Sequence, residues 1–168
     1  MKIILIGFMG SGKSEVGREL SKSLNLPFIE MDKLILQKSG RKNINEIFEN
    51  CGELYFRKLE EEVAKQLAIL EEAVISTGGG VVLDRMIIAC LKNRPEDTVV
   101  WLATKFATIC ERLKNDKTRP LFADIKNAKK LYKARKTLYE NYADMTITTN
   151  DKSIEDIAYE IAKGIGEL

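Results

Sequence analysis

The sequence contains no histidine, and this absence limits the chemistry that the chain can perform. Ser-His-Asp and Cys-His nucleophile systems need an imidazole base, and H-E-x-x-H zinc sites need imidazole ligands. Any reaction must therefore depend on other acidic or basic side chains, on backbone amides or on a bound metal ion.

Paired cysteines, a large net charge and long apolar segments are also absent. Cys51, Cys90 and Cys110 form no C-x-x-C pair, and we interpret them as buried or half-buried thiols. The net charge of +2 gives no reason to expect a nucleic-acid or membrane partner. No apolar run approaches the roughly 20 residues that span a bilayer, and the first such run lacks the layout of a signal peptide. We therefore expect a cytoplasmic protein.

The order of apolar and helical segments predicts an α/β fold. Short apolar runs without polar alternation occur at 2–7, 27–30, 73–76, 98–102 and 145–148, with helical segments between them. Such strands indicate a parallel sheet that is covered by helices on both faces. The helical region at about 33–70 should break near Gly40 and Gly52. With 168 residues and no linker-like segment, we expect one domain over 1–168.

The last helix carries an apolar stripe, which predicts core packing for Ile154, Ile157, Ala158, Ile161 and Ala162.

A phosphate-binding motif follows the first strand. Residues 7–14, GFMGSGKS, match G-x-x-x-x-G-K-[ST] between a buried strand and a helix. In such a loop the backbone N–H groups and the helix amino terminus bind phosphate oxygens, the lysine reaches the outer phosphates and the hydroxyl residue ligates Mg²⁺. We predict that Ser14 holds Mg²⁺ and that ATP is bound by Gly10, Ser11, Gly12, Lys13, Ser14 and Glu15.

The motif alone does not distinguish kinases, GTPases and mechanical ATPases. The chain has no N-K-x-D motif for reading a guanine base. Its third strand ends in Ser76-Thr77-Gly78, without the acidic pair typical of a molecular-machine ATPase. A short chain whose second half is rich in arginine is similar instead to the nucleoside and metabolite kinases.

Further segments in the same order identify one family. They are FIEMD at 28–32, FRKLE at 56–60, STGGG at 76–80, and TRPL at 118–121 with RKTLY at 135–139. Together with the phosphate-binding motif, they resemble the shikimate kinase family over essentially the whole chain. The resemblance implies a three-layer P-loop kinase fold with strand order 2-3-1-4-5, a substrate-binding helical region at about 33–70 and a mobile lid at about 115–124.

The resemblance also implies an activity. It is the MgATP-dependent phosphorylation of the shikimate 3-hydroxyl to shikimate 3-phosphate and ADP, a step of chorismate and aromatic amino-acid biosynthesis. The implied partners are the small molecules shikimate and ATP, and we expect a monomer.

The same resemblance assigns roles to individual residues. The catalytic group is Lys13, Asp32 and Arg119, of which Asp32 contacts the shikimate hydroxyls and Arg119 is the lid arginine that reaches the ATP phosphates. The shikimate carboxylate is held by Arg57 and Arg135, and the ring lies beside Gly78, Gly79 and Gly80. Arg112 packs on adenine, and the adenine loop contains Asn150, Asp151 and Lys152. Glu30 stands where the family usually has Asp, and is expected to reach Mg²⁺ through a water.

The sequence leaves structural interpretations open for these residues. Asp32 could cap a helix that begins at Lys33, and Arg57 could form a surface ion pair with Glu60 or Glu61. The triple glycine and Arg119 could belong to ordinary loops, and the lysine-rich segment 126–136 could be a solvated helix face. Another small-metabolite kinase, such as a gluconate-type enzyme, and an ATP-binding regulator without catalysis also remain open.

Overall fold

The computed structural model describes residues 1–114 and 124–167. Within these ranges, five parallel strands form one sheet in the order β2-β3-β1-β4-β5, which confirms the predicted α/β fold and strand order. The strands are β1 Lys2–Ile6, β2 Phe28–Glu30, β3 Ala73–Ser76, β4 Thr98–Ala103 and β5 Met145–Thr148. The helices are α1 Lys13–Leu24, α2 Met31–Ser39, α3 Ile44–Ala68, α4 Arg85–Leu91, α5 Phe106–Leu113, α6 Ile125–Tyr142 and α7 Ile154–Gly164.

The central strand β1 is apolar on both faces because helices cover both faces of the sheet. Ile3 and Leu5 belong to an apolar cluster that also contains buried residues of α1 and α7. Ile4 and Ile6 point to the opposite face, where the second cluster draws on α2, α3, α4 and α6. This double burial explains why the strand shows no alternation of polar and apolar residues.

The helical region between β2 and β3 breaks at the two predicted glycines. Gly40 ends α2 in the left-handed conformation with φ 65°, and Gly52 interrupts α3 with φ 80° and ψ 169°. A side chain would strain either backbone conformation, so the glycines allow the chain to turn there. The part of α3 before Gly52 is thus a short helical segment, distinct from the long segment that follows this glycine.

The predicted lid, including Arg119, lies outside the described residues apart from Asp124. Asp124 is the N-cap of α6, and its carboxylate accepts hydrogen bonds from the backbone N–H groups of Lys126 and Asn127 at 3.0 and 3.1 Å. This residue therefore belongs to the start of the helix rather than to the lid.

The core prediction for α7 is correct for four of its five residues. Ile157, Ala158, Ile161 and Ala162 are buried, whereas Ile154 is 39% exposed. Ile154 is the first residue of α7, and it lines a cavity at the carboxyl edge of the sheet instead of packing in the core. Among the described residues, no helix has the length and apolar content that a membrane span requires.

Candidate active site

The loop between β1 and α1 has the geometry of a phosphate-binding loop. Gly12, the N-cap of α1, adopts φ 93°, and no side chain caps this helix. The amino-terminal N–H groups of α1 are thus available to an anion, and the helix dipole favours negative charge there. The Lys13 ammonium donates to the carbonyl oxygens of Gly7 and Phe8 at 2.8 and 3.2 Å, so the lysine lies folded along the loop.

A cavity of about 610 Å³, which we call the nucleotide cavity, opens beside this loop. It is lined by most of the predicted ATP-binding residues, namely Gly10, Ser11, Gly12, Lys13, Ser14, Glu15, Arg112 and Lys152. The Arg112 guanidinium donates to the carbonyl oxygens of Gly10 and Thr149, at 3.2 and 3.4 Å. Arg112 therefore connects the phosphate loop to the carboxyl end of β5.

The predicted adenine loop is only partly exposed to this cavity. Lys152 lines it, and its ammonium forms a salt bridge with Glu160 at 2.7 Å. The Asn150 side-chain oxygen instead accepts hydrogen bonds from the Lys105 N–H at 3.0 Å and the Thr108 hydroxyl at 3.1 Å. Asn150 and Asp151 are not among the lining residues of the nucleotide cavity. The Asn150 amide thus fixes the loop to the start of α5.

A second cavity of about 700 Å³, the acceptor cavity, adjoins the first. All the predicted acceptor-binding residues line it: Asp32, Arg57, Gly78, Gly79, Gly80 and Arg135. The two cavities share three lining residues, Met9, Asp32 and Gly79. A molecule in the acceptor cavity and a phosphate chain in the nucleotide cavity would therefore meet at these residues.

Two guanidinium groups flank Gly80 in the acceptor cavity. A Cβ atom on Gly80 would lie 3.3 Å from both terminal nitrogens of Arg57 and 3.6 Å from one of Arg135. Arg135 is 9% exposed, and its Nε has no hydrogen-bond partner within the described part of the chain. Burial, and then the nearby Arg57 charge, lower the pKa of Arg135 below its ordinary value. The buried Arg135 guanidinium, with Arg57 beside it, favours an anion that accepts hydrogen bonds from both, such as a carboxylate.

Arg57 is also paired with a buried acid, Glu60. The Arg57 Nη1 lies 2.5 Å from Glu60 Oε2, and its Nη2 lies 3.2 Å from Glu53 Oε1. Glu60 is 1% exposed, and burial raises the pKa of its carboxyl despite the opposing effect of Arg57. The ion pair considered from the sequence is therefore present, but it is not a surface pair. Glu61 instead pairs with Lys65 at 2.6 Å.

Asp32 lies in the first turn of α2 rather than at its cap. The helix begins at Met31, with Glu30 as its N-cap residue, so the interpretation of Asp32 as the cap is wrong. A Cβ atom on Gly78 would approach the Asp32 Oδ1 to 2.9 Å, which shows how closely this carboxylate packs on the glycine segment. Asp32 is thus held at the junction of the two cavities.

Carboxylate and hydroxyl oxygens suited to Mg²⁺ line the nucleotide cavity. Those of Ser14, Glu30 and Asp32 are among them. Glu30 also forms ion pairs with Arg18 and with Lys33, the latter at 2.9 Å. No group of three or more Asp, Glu, Cys or His side chains in residues 1–114 and 124–167 is arranged to bind a metal by itself. The donor set therefore fits a magnesium ion that takes its other ligands from phosphate oxygens and water.

Comparison with known proteins identifies the family. A family model described as shikimate kinase matches residues 9–165. A shikimate kinase from Sulfurihydrogenibium sp. (strain YO3AOP1) is 42% identical over 160 residues, which cover 95% of this chain and 94% of the relative. The chain belongs to the shikimate kinase family.

Solved structures agree with this membership. A structure of shikimate kinase from Acinetobacter baumannii in complex with shikimate is similar with a TM-score of 0.90 and 36% identity, covering 98% of this chain and 92% of that one. A shikimate kinase from Aquifex aeolicus gives a TM-score of 0.85 at 41% identity, covering 98% and 96%. A gluconokinase from Sinorhizobium meliloti, at 17% identity and a TM-score of 0.60, shares the fold alone. The family and the kinase class predicted from the sequence are confirmed.

Sequence reasoning missed several residues that shape this shikimate kinase site. Glu60 and Met9 line the acceptor cavity, and the hydroxyl of Tyr139 donates to the carbonyl oxygen of Gly79 at 2.6 Å. The i+3 spacing of Glu60 from Arg57 predicts an ion pair, but spacing alone does not show that Glu60 is buried. Tyr139 closes the RKTLY segment, but nothing in the sequence indicates the contact that its hydroxyl makes.

Proposed function

We propose that this chain catalyses the reaction of its family, the transfer of the γ-phosphoryl group of ATP to the 3-hydroxyl of shikimate. The products are shikimate 3-phosphate and ADP. The single observation that carries the proposal is the junction of two cavities, one lined by the phosphate loop and the other by paired arginines, with Asp32 lining both.

In this mechanism the shikimate carboxylate binds between Arg57 and Arg135. Planar guanidinium groups suit this role because each can donate two parallel hydrogen bonds to a carboxylate. Acids also line this cavity, but none in the described ranges forms a salt bridge with Arg135, whose Nε lacks a hydrogen-bond partner among these residues. The segment Gly78, Gly79 and Gly80 lies against these groups, and its lack of side chains leaves room for the ring.

Asp32 orients the attacking hydroxyl. Its carboxylate lines both cavities, so a hydroxyl that donates to it can point towards the phosphate chain. Phosphoryl transfer depends mainly on positioning and charge neutralisation, so a hydrogen bond that fixes the oxygen in line with the leaving group is the main requirement. The proton of the hydroxyl passes to Asp32 or, as the P–O bond forms, to a phosphate oxygen.

The phosphate chain binds to the loop of Gly10, Ser11, Gly12, Lys13, Ser14 and Glu15. Lys13 exchanges its contacts with the Gly7 and Phe8 carbonyls for the outer phosphates, and Arg119 adds a second cation there. Arg112 packs on the adenine ring, beside the loop of Asn150, Asp151 and Lys152. The chain is proposed to act as a monomer.

Magnesium is the proposed cofactor. When bound, it neutralises charge on the phosphate oxygens. The Ser14 hydroxyl would hold it directly, and Glu30, which lines the same cavity, would hold it through a water.

A coupled assay of ADP release tests this function. We expect ADP release to depend on ATP, Mg²⁺ and shikimate, and gluconate should give no stimulation. Lys13→Met should abolish turnover while the melting temperature stays close to that of the wild type, because the change removes charge at the phosphates and keeps most of the side-chain volume. Nucleotide binding without shikimate-stimulated ADP release would instead indicate an ATP-binding regulator.

A further inference from the structure

Tyr139 on α6 is buried beneath the acceptor cavity without lining it. The residue is 1% exposed, and its ring stacks on Trp101 with a centroid distance of 6.0 Å and an interplanar angle of 21°. Its hydroxyl donates to the carbonyl oxygen of Gly79 at 2.6 Å, and it also interacts directly with the Arg135 side chain. Neither cavity includes Tyr139 among its lining residues. Any effect of Tyr139 on the reaction must therefore act through the residues that it contacts.

The same carbonyl oxygen also accepts a hydrogen bond from Arg135. The Arg135 Nη1 lies 3.3 Å from it, which is a longer contact than that of the tyrosine hydroxyl. Arg135 and Tyr139 are four residues apart on α6, so both side chains project from the same face of the helix. Since no acidic side chain in 1–114 or 124–167 forms a salt bridge with Arg135, this carbonyl is an important restraint on the direction of its guanidinium.

Gly79 in turn packs directly on the phosphate loop. A Cβ atom on Gly79 would lie 3.3 Å from the Met9 nitrogen and 3.5 Å from the Gly7 oxygen. The Gly79 peptide is thus held between the phosphate loop on one side and α6 on the other. A small rotation of this peptide would change both the direction of Arg135 and the position of the glycine segment in the acceptor cavity.

We infer that Tyr139 is a positioning residue for the acceptor, whose hydroxyl orients the Arg135 guanidinium through the Gly79 carbonyl that both side chains bind and through its own contact with Arg135. The inference rests on the proposed function, since it assumes that Arg135 binds the acceptor carboxylate. It assigns the phenol ring to core packing and the hydroxyl to orientation of the site. The two parts can be separated, because phenylalanine keeps the ring and removes the hydroxyl.

The test compares Tyr139→Phe with a matched control, Tyr132→Phe. Tyr132 lies on the same helix, and its hydroxyl also donates to a backbone carbonyl, that of Thr104 at 2.8 Å. Thr104 lines neither cavity. The two variants therefore lose the same kind of hydrogen bond from the same helix, and they differ in which carbonyl is released.

Calorimetric titration with shikimate and, separately, with ADP gives the result. For Tyr139→Phe we expect the shikimate Kd to rise about 3- to 10-fold, the range for loss of one neutral hydrogen bond, with the ADP Kd changed less than twofold. For Tyr132→Phe we expect an unchanged shikimate Kd. In an Arg135→Lys background, Tyr139→Phe should raise the shikimate Kd by less than twofold, because its effect acts through Arg135.

Three outcomes would overturn the inference. They are a wild-type shikimate Kd for Tyr139→Phe, an equal weakening of shikimate and ADP binding with a lowered Tm, and full additivity with Arg135→Lys. The second outcome would indicate a purely structural role for the hydroxyl. Failure of the proposed function is recognised separately, because the wild-type protein itself would then show no shikimate binding.

Discussion

Replacing Arg57 by lysine separates its two contacts in the acceptor cavity. The Arg57 guanidinium pairs with Glu60 at 2.5 Å, and it also flanks Gly80, where the acceptor carboxylate is proposed to bind. A lysine keeps a positive charge near the Glu60 carboxylate but lacks the planar fork that binds a carboxylate with two hydrogen bonds. We therefore expect Arg57→Lys to weaken shikimate binding while most of the stability is retained.

The magnitude follows from the kind of contact that is lost. Hydrogen bonds to charged groups contribute about 1.5–3 kcal/mol each, and a difference of 1.4 kcal/mol is about tenfold in Kd. Loss of the fork should therefore raise the shikimate Kd by roughly 10- to 150-fold, with lysine at the lower end because its charge remains. ADP binding should not change, because Arg57 does not line the nucleotide cavity.

Arg57→Ala is the comparison that shows why the lysine variant is needed. Alanine removes the cation and leaves Glu60, which is 1% exposed, without its closest partner. Removal of one partner from a fully buried ion pair costs about 3–5 kcal/mol of stability, and this pair, with Arg57 23% exposed, should lose a smaller but still sizeable amount. A loss of activity in Arg57→Ala could thus reflect unfolding, whereas Arg57→Lys keeps a cation beside Glu60 and should be affected much less.

The measurements are calorimetric titrations of shikimate and ADP, with urea unfolding of each variant. The expected pattern is a raised shikimate Kd in both variants and a lowered free energy of unfolding mainly in Arg57→Ala. If Arg57→Lys bound shikimate as tightly as the wild type, the arginine would serve Glu60 alone, and the proposed carboxylate site would be wrong.

Three further predictions concern acids and the lid arginine. Because burial raises the pKa of Glu60, the native state binds this proton more tightly than the unfolded state, and stability is lost as pH rises from about 4.5 through the raised pKa. Urea unfolding should therefore show that the stability of the wild type relative to Glu60→Gln decreases over that pH range, and a pH-independent difference would contradict the effect of burial. Glu30→Ala should require more Mg²⁺ for half-maximal turnover. If its Mg²⁺ dependence equalled that of the wild type, Glu30 would have no role at the metal and would only form ion pairs. Arg119→Ala should lower kcat with little change in the shikimate Kd, and a wild-type kcat would exclude its role at the phosphates.

The fold could be predicted from local signals in the sequence. The buried strands lack polar alternation, and glycines occur where the chain must turn, as at Gly40 and Gly52. The prediction of a buried Ile154 is wrong, since this residue continues the apolar stripe of α7 but is 39% exposed. The periodic pattern identifies the apolar face of the helix, but it does not show how far along the helix that face is covered by the rest of the protein.

The site could be predicted only as far as motifs and family resemblance reach. The phosphate loop is local, so the backbone of residues 7–14 follows directly from the sequence. The interpretation of Glu60 as part of a surface pair is wrong because this carboxylate packs near Gly78 and Asp32, which are distant in sequence and come close only in the folded protein. The contact of Tyr139 with Gly79 is of the same kind, since 60 residues separate the two.

The strand order explains how the site is arranged along the edge of the sheet. Parallel strands bring their carboxyl ends to one edge, where ligands bind in folds of this type. The central strand β1 leads into the phosphate loop, β3 on one side leads into the triple glycine, and β2 beyond it leads into Asp32. On the other side of β1 lie β4 and β5. The loop after β5 is held to α5 by two hydrogen bonds, one from Thr108 to Asn150 and one from Arg112 to the Thr149 carbonyl.

The nucleotide and acceptor cavities adjoin at the carboxyl edge of the sheet, and the residues that line both follow β1, β2 and β3. Met9, Asp32 and Gly79 line both cavities, and of these three residues Asp32 alone has a charged side chain. In the proposed mechanism, a hydroxyl at this junction donates a hydrogen bond to Asp32 while its oxygen faces the phosphates, as an in-line transfer requires.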